Sequence, residues 1–151
     1  AGADPSLITP AGPIAYFKGT SRGWLYRTDG SSTGTARLEK LVPSELLASG
    51  DRLFCSGRTF DAAGLFASDG GVGDATLVLP AYRAPFEDRL PDRLTAVPNG
   101  ALFAHRDAAH GVEIWRSDGT AGGTALLADL RPGPADGLDT LSNEHFAVLG
   151  D

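Results

Sequence analysis

The chain has 151 residues, the length of a single domain with a hydrophobic core. Apolar residues make up 42% of it and charged residues 21%, as in globular proteins, which excludes wholesale disorder. The net charge of −6 argues against a partner held through nucleic-acid phosphates, and no apolar run approaches the roughly 20 residues of a membrane helix. We therefore expect neither nucleic-acid binding nor membrane insertion.

Gly and Pro are abundant, with 20 and 10 residues, and such a load is typical of short strands joined by tight turns. The chain contains no Met. We therefore expect it to be a processed or excised piece whose targeting segment has been lost.

The first repeated unit spans about residues 6–45. It contains the apolar segment 14–17 and then the phrase WLYRTDGSSTGTARL at residues 24–38. In this phrase an aliphatic, an aromatic, a variable and a hydroxyl residue precede Asp29 and Gly30, and an apolar residue returns at its end. Short segments rich in aromatic and branched residues predict strands.

The second unit spans about residues 46–93 and carries the phrase GLFASDGGVGDATLV at residues 64–78. The apolar segment that precedes this phrase, Leu53-Phe54-Cys55, holds the single cysteine of the chain. One cysteine permits no internal disulfide, and its apolar neighbours predict a buried core residue rather than a reactive thiol.

The third unit spans about residues 94–140 and carries the phrase EIWRSDGTAGGTALL at residues 113–127. Phe103 precedes the Asp of this motif by 15 residues, as Phe54 does in the second unit. Residues 141–151 repeat the opening of a unit, so we expect a fourth unit to start there.

Each unit holds four short apolar runs separated by Gly, Asp or Asn, and the motif recurs after 40 and then 49 residues. Four such runs predict a four-stranded antiparallel meander, and repeats of this length are typical of propeller blades. The predicted fold class is all-β, with three four-stranded β-propeller blades and one trailing strand. Three blades do not close a ring, so closure needs further blades of a parent chain, which we favour, or further copies of this chain.

The Asp-Gly motif is interpreted as a structural hairpin turn, because Asp folds back onto backbone N–H groups and Gly accepts a positive φ. The residues assigned to this turn are Asp29, Gly30, Asp69, Gly70, Asp118 and Gly119. A calcium site is the alternative, with Asp69 and Asp74 as weak candidates, because the run GGVGD nearly matches the GGxGxD of calcium-binding β-rolls. We expect no other cofactor.

An aromatic column recurs three residues before the Asp of each motif, at Tyr26, Phe66 and Trp115. Its fixed place inside a strand of every unit predicts packing between neighbouring sheets rather than stacking on a carbohydrate. Trp24 has no aromatic counterpart in the other units, so it is the better candidate for an exposed contact.

The third phrase resembles a known family. Residues 113–124, EIWRSDGTAGGT, are similar to the ELWxxDGTxxGT repeat of large bacterial surface and secreted proteins, and residues 129–134 resemble the connector between its blades. The match is partial in the first unit and degraded in the second, where Asp74 and Ala75 replace Gly and Thr. The resemblance implies a propeller-like repeat protein that is extracellular or at the cell surface, and it brings no established reaction or catalytic residue.

In such a meander, the turns after the first and third strands of each unit share one face, the turn face. The remaining loops and the connectors between units share the other, the loop face, where variable loops usually carry binding. We predict there a non-enzymatic surface that binds a protein or a glycan and serves recognition or surface scaffolding. The candidate ligand-binding residues are Lys18, Trp24, Arg58, Arg83, His105, Arg106, Asp107, His110 and Arg131.

Two other functions stay open: the propeller portion of a secreted hydrolase whose active site lies partly outside this chain, and a purely structural spacer. His105, Asp107 and His110 make only a weak transition-metal signal without a further ligand. The sequence has no G-x-S-x-G nucleophile elbow, and the charged residues between 87 and 93 are interpreted as a solvated loop.

Overall fold

The computed structural model describes residues 6–20, 22–38, 40–71, 75–84, 87–139 and 145–147. These residues form an all-β structure without a helix, as predicted. They build three four-stranded antiparallel sheets, in each of which consecutive strands are neighbours. Nothing helical in the described part of the chain is long and apolar enough to reach across a lipid bilayer.

The strands follow the repeated units. The first sheet contains β1 (Ser6–Ala11), β2 (Ile14–Lys18), β3 (Leu25–Thr28) and β4 (Ala36–Arg37). The second sheet contains β5 (Val42–Ser49), β6 (Arg52–Arg58), β7 (Ala63–Ser68) and β8 (Thr76–Pro80).

A short hairpin separates the second and third sheets. It consists of β9 (Tyr82–Ala84) and β10 (Glu87–Arg89), which pair antiparallel. The interpretation of residues 87–93 as a solvated loop is therefore wrong. Backbone pairing places residues 87–89 in this hairpin and makes Asp92 the first residue of the next strand.

The third sheet contains β11 (Asp92–Val97), β12 (Gly100–Asp107), β13 (Gly111–Ser117) and β14 (Ala125–Ala128). The third unit was predicted to start at residue 94 and the second at residue 46. Their first strands begin earlier, because backbone pairing starts at Asp92 in the third sheet and at Val42 in the second. Residues 145–147 form no strand, and the rest of the segment predicted to open a fourth unit lies outside the described residues.

Two apolar clusters join the three sheets. The first cluster combines buried side chains of the first two sheets and of the segment that connects them, namely Ala11, Tyr16, Leu25, Leu38, Leu41, Leu53, Cys55 and Phe66. The second cluster combines buried side chains of the second and third sheets, namely Phe54, Leu65, Val78, Leu94, Ala101 and Phe103. Because β5 contacts both β1 and β11, the sheets stack in chain order with the second in the middle.

The second sheet is buried on both of its faces. Leu53 and Cys55 belong to the first cluster and Phe54, which lies between them, belongs to the second, because successive side chains of a strand point to opposite faces. Cys55 is buried, in agreement with the sequence, and desolvation raises the pKa of its thiol. The thiol is therefore a small apolar core group.

The aromatic column follows the same stacking. Phe66 is buried in the first cluster and Trp115 packs against the second, so both lie where neighbouring sheets meet. Tyr26 instead stacks on Phe17 of its own sheet, with ring centroids 5.5 Å apart. Among the described residues no sheet precedes the first one, so this pair lies on its outer face.

The apolar residue that follows the Asp-Gly motif is buried only in the sheets that have another sheet packed after them. Leu38 and Val78 occupy corresponding places after the motifs of the first and second sheets, and they are 0% and 6% exposed. Leu127 occupies that place in the third sheet and is 54% exposed. No sheet follows the third within the described residues, so its outward apolar face is open to solvent.

Candidate functional site

The Asp-Gly motif forms the same turn in the first and third sheets. Asp29 Oδ1 accepts the hydroxyl of Ser31 at 2.7 Å and its N–H at 2.9 Å. Asp118 Oδ1 accepts the hydroxyl of Thr120 at 2.7 Å and its N–H at 2.8 Å. These side-chain and backbone bonds lower the pKa of both carboxyls, so the two carboxylates are ionised and used within their own turns.

The second turn uses its carboxylate differently. Asp69 Oδ1 accepts a bond from Arg52 Nε at 2.6 Å, and the same guanidinium donates through Nη1 to the carbonyl of Asp118. Arg52 therefore connects two turns at a cavity of about 400 Å³ on the turn face. The other calcium candidate, Asp74, lies outside the described residues, and those residues include no group of three His, Cys, Asp or Glu arranged to hold a metal ion.

The loop face carries a groove of about 790 Å³ where loops of the first and second sheets meet. We call it the Trp24 groove. Its lining residues are Arg22, Trp24, Lys40, Val42, Arg58, Thr59 and Phe60. Two of the nine residues predicted to bind a ligand, Trp24 and Arg58, therefore lie in one concave site.

A tight loop after β2 presents Trp24 to this groove. Arg22 and Gly23 both have positive φ, at 69° and 68°, and the N–H of Gly19 donates to the carbonyl of Trp24 at 2.8 Å. The guanidinium carbons of Arg37 and Arg22 lie 4.4 and 5.4 Å from the centroid of the indole ring. The ring is thus half-buried and carries two cations close to its π-system.

Phe60 belongs to the part of the lining that the second sheet contributes, in the loop between β6 and β7. Its side chain is 94% exposed. The loop is nevertheless closed by its own bonds, since Thr59 N–H donates to the carbonyl of Ala62 at 2.7 Å and Thr59 Oγ1 accepts the N–H of Ala62 at 3.0 Å. An ordered loop therefore holds an aromatic ring out in solvent.

The groove is positively charged. Arg22, Lys40 and Arg58 line it, and its described lining includes no carboxylate. The protein as a whole has a net charge of −6, so this local charge opposes the overall one. A groove of this kind attracts anionic ligands.

A cleft of about 410 Å³ shares Arg58 with the groove. It contains Glu45 and Asp92, and burial raises the pKa of both carboxyls. Glu45 Oε1 accepts the N–H of Leu94 at 2.8 Å, which connects the second sheet to the third. Asp92 lies 3.9 Å from the guanidinium of Arg89. Because these contacts hold elements of the fold together, we assign the cleft a structural role.

Three other predicted ligand residues belong to the third sheet. His105 lies in β12, is 5% exposed and packs edge-on against Trp115, with ring centroids 5.0 Å apart. Desolvation lowers its pKa to about 4, against the opposing charge of Asp107. His110 Nδ1 lies 2.8 Å from Asp107 Oδ2, and this bond raises the pKa of His110. Asp107 and His110 therefore complete a turn, while His105 is a core residue.

The remaining arginines are dispersed. Arg106 donates to Asp136 at 2.5 Å and lies 5.8 Å from the ring of Tyr82. Arg83 lies in β9 and Arg131 is exposed beyond β14. The described lining of the groove contains none of these three. Lys18 is nearer, because its Cε lies 3.0 Å from the point where a Cβ on Gly23 would stand.

The prediction missed five of the seven lining residues, and three of these give the groove its further charge and its exposed ring: Arg22, Lys40 and Phe60. The charge distribution carries a signal for the first two, since residues 18–40 hold five of the 13 Lys and Arg residues and only two of the 19 acidic ones. The phenylalanine is marked only by its place in a loop beside Asp61. Neither signal reveals that these side chains line one groove with Trp24, because that placement depends on how the first two sheets stack.

Comparisons of the chain with protein-family models, with curated proteins and with solved structures found no match. The resemblance to the ELWxxDGTxxGT repeat therefore stays a prediction that rests on the motif itself.

Proposed function

We propose that the chain is a non-enzymatic recognition module that binds a ligand in the Trp24 groove on its loop face. The observation that carries this proposal is the combination of Trp24, an exposed Phe60 and three basic residues around one concave surface. Aromatic residues and arginine dominate the energetic centres of binding surfaces. The groove is also within the size range of ligand sites in proteins, about 300–1,000 Å³.

We further propose that the three sheets are successive blades of a β-propeller. The stacking in chain order and the repeated Asp-Gly turns support this arrangement. The open face at Leu127 supports it as well, because the corresponding faces of the first two sheets are each covered by the next sheet. A further four-stranded repeat would cover it in the same way, so the module is one segment of a ring completed by other blades.

The motif that repeats with these sheets resembles that of bacterial surface and secreted proteins, so we place the module outside the cell or at the cell surface. There it serves recognition or scaffolding. The groove favours recognition over a purely structural spacer, because a spacer has no need of an exposed Phe60 beside clustered cations.

The proposal is tested by probing protein and glycan arrays with the purified chain and with two matched variants. Arg58→Ala removes one groove cation, and Arg116→Ala removes an exposed arginine of the third sheet as a control for net charge. We expect selective binding that is weakened by Arg58→Ala and unchanged by Arg116→Ala. Absence of selective binding, or equal losses in both variants, would refute the proposal.

A further inference from the structure

We infer that the Trp24 groove takes an acidic segment of a partner protein that also offers an apolar pocket for Phe60. This inference rests on the proposed function and narrows it, since it selects a protein ligand over a glycan. Three observations support it: the positive charge of the groove, the two guanidinium groups that lie close to the indole ring of Trp24, and the exposure of Phe60.

The charge of the groove suits anionic groups such as carboxylates. Arg22, Lys40 and Arg58 line the groove, and the guanidinium of Arg37 lies over the ring of Trp24, which is itself a lining residue. Planar guanidinium groups form paired hydrogen bonds with carboxylates, and this geometry makes arginine the common partner of Asp and Glu side chains. An acidic segment therefore meets several cations at once, and long-range attraction steers it to the groove.

The indole ring argues against a neutral sugar. A sugar stacks on an open aromatic face, but two arginine guanidiniums already lie 4.4 and 5.4 Å from the centroid of Trp24. In this arrangement the ring helps to fix the arginines in place through cation–π contacts. Trp24 is then a positioning residue for guanidinium groups that bind carboxylates.

Phe60 argues for a protein surface. At 94% exposure nearly the whole ring lies in water, and an ordered loop keeps it there. Transfer of such a ring into an apolar pocket is one of the largest favourable contributions available to a contact of this size. Side chains of a protein provide such a pocket beside acidic groups, whereas the sugar rings of an acidic polysaccharide do not.

The experiment uses Trp24 as its own reporter. Trp115→Phe leaves Trp24 as the single tryptophan, so that its fluorescence reports on the groove. The probes are a Glu-rich peptide with a central cluster of Leu residues that can enclose the Phe60 ring, the same peptide with Lys in place of Glu, and polygalacturonate as an acidic glycan. Calorimetry with the unsubstituted chain repeats each titration, so a disturbed Trp115→Phe variant does not decide the result.

We expect saturable binding of the Glu-rich peptide that weakens as salt is added and is undetectable for the Lys peptide. Phe60→Ala and Arg58→Ala should each weaken it by about tenfold or more, and Arg116→Ala should leave it unchanged. Equal binding of the two peptides, or no effect of Phe60→Ala, would overturn the inference. Binding of polygalacturonate without the peptide would also overturn it and leave the proposed function standing, whereas the failure of all three probes would count against both.

Discussion

Arg52, the first residue of β6 in the second sheet, lies directly against Gly119 in the Asp-Gly turn of the third sheet. The pair Ile14 and Gly70 stands in the same relationship one sheet earlier, with Ile14 Cδ1 2.8 Å from the point where a Cβ on Gly70 would stand. Both glycines also have a positive φ, at 91° and 96°. In the second and third sheets the motif glycine therefore serves two purposes, the turn itself and the close approach of the preceding sheet.

Substitution of this glycine separates the two purposes. Gly30 has the same φ of 91° as Gly119 but has nothing within 4 Å of its Cβ position. Gly30→Ala should therefore cost only the backbone strain, about 1–2 kcal/mol of unfolding free energy. Gly119→Ala should cost roughly 1 kcal/mol more, because the new methyl group displaces Arg52 from its bonds to Asp69 and Asp118. Urea denaturation of the two variants measures the difference, and equal losses would show that the contact between sheets contributes nothing.

His105 predicts a stability that rises with pH. Its pKa is about 4 in the folded chain against an ordinary value of 6.5, so the unfolded chain binds more protons between these values. The contribution of His105 to the unfolding free energy is therefore fully present above pH 6.5. It is lost as the pH falls towards 4, by about 3 kcal/mol in total. The charge of Asp107 opposes the shift, and buried Glu113 is the cross-strand neighbour of the imidazole.

His105→Phe keeps an aromatic ring beside Trp115 and removes the titration. In this variant we expect the unfolding free energy to lose about 3 kcal/mol less than in the unsubstituted chain as the pH falls from 6.5 to 4. Unfolding curves at a series of pH values within the window provide the measurement. A variant with the same slope as the unsubstituted chain would show that other groups cause the dependence.

Glu45 predicts the opposite slope. Burial raises its pKa above the ordinary value of 4.5, so the folded chain binds more protons there. This contribution to stability is complete below pH 4.5 and is lost as the pH rises through the folded pKa. Glu45→Gln keeps an acceptor for the N–H of Leu94 and cannot ionise, so it should reduce the loss above pH 4.5. Part of the slope remains, because the pKa of Asp92 is also raised by burial. An unchanged slope in Glu45→Gln would contradict this assignment.

The fold was readable from the sequence because each part of a meander has a local signal. Alternating apolar runs fix the strands, and Asp-Gly pairs such as Asp118 and Gly119 fix the turns between them. The hairpin of β9 and β10 has no such pattern, since four of its six residues are charged. A charged strand that is not buried is mistaken for a loop when strands are predicted from apolar residues alone.

Register was harder to read than the strands themselves. Phe54 and Phe103 both precede a motif Asp by 15 residues, yet Phe103 pairs with Trp115 whereas Phe54 pairs with Ala67. The loop between the second and third strands is one residue shorter in the third sheet than in the second, where Arg58 pairs with Ala63. A one-residue offset turns a side chain to the opposite face, so equal spacing from the motif does not give equal orientation.

The candidate site was only partly readable. Trp24 stood out because no other unit has an aromatic residue there, and Arg58 because it ends a strand at the loop face. His105 was predicted to bind a ligand on the loop face, but it lies in a strand and is buried, because β12 continues to Asp107. That Trp24 and Phe60 line one groove depends on how the first two sheets pack against each other, and no local pattern encodes it.

The stacking of the sheets is tested most directly by one substitution made at two equivalent places. Leu38 is completely buried beneath the second sheet, and Leu127 occupies the same place on the open face of the third. Leu38→Ala should lower the unfolding free energy by about 2–5 kcal/mol, whereas Leu127→Ala should change it by no more than about 0.5 kcal/mol. Chemical denaturation of both variants under the same conditions gives the two values, and similar losses at the two positions would contradict the ordered stacking of three equivalent sheets.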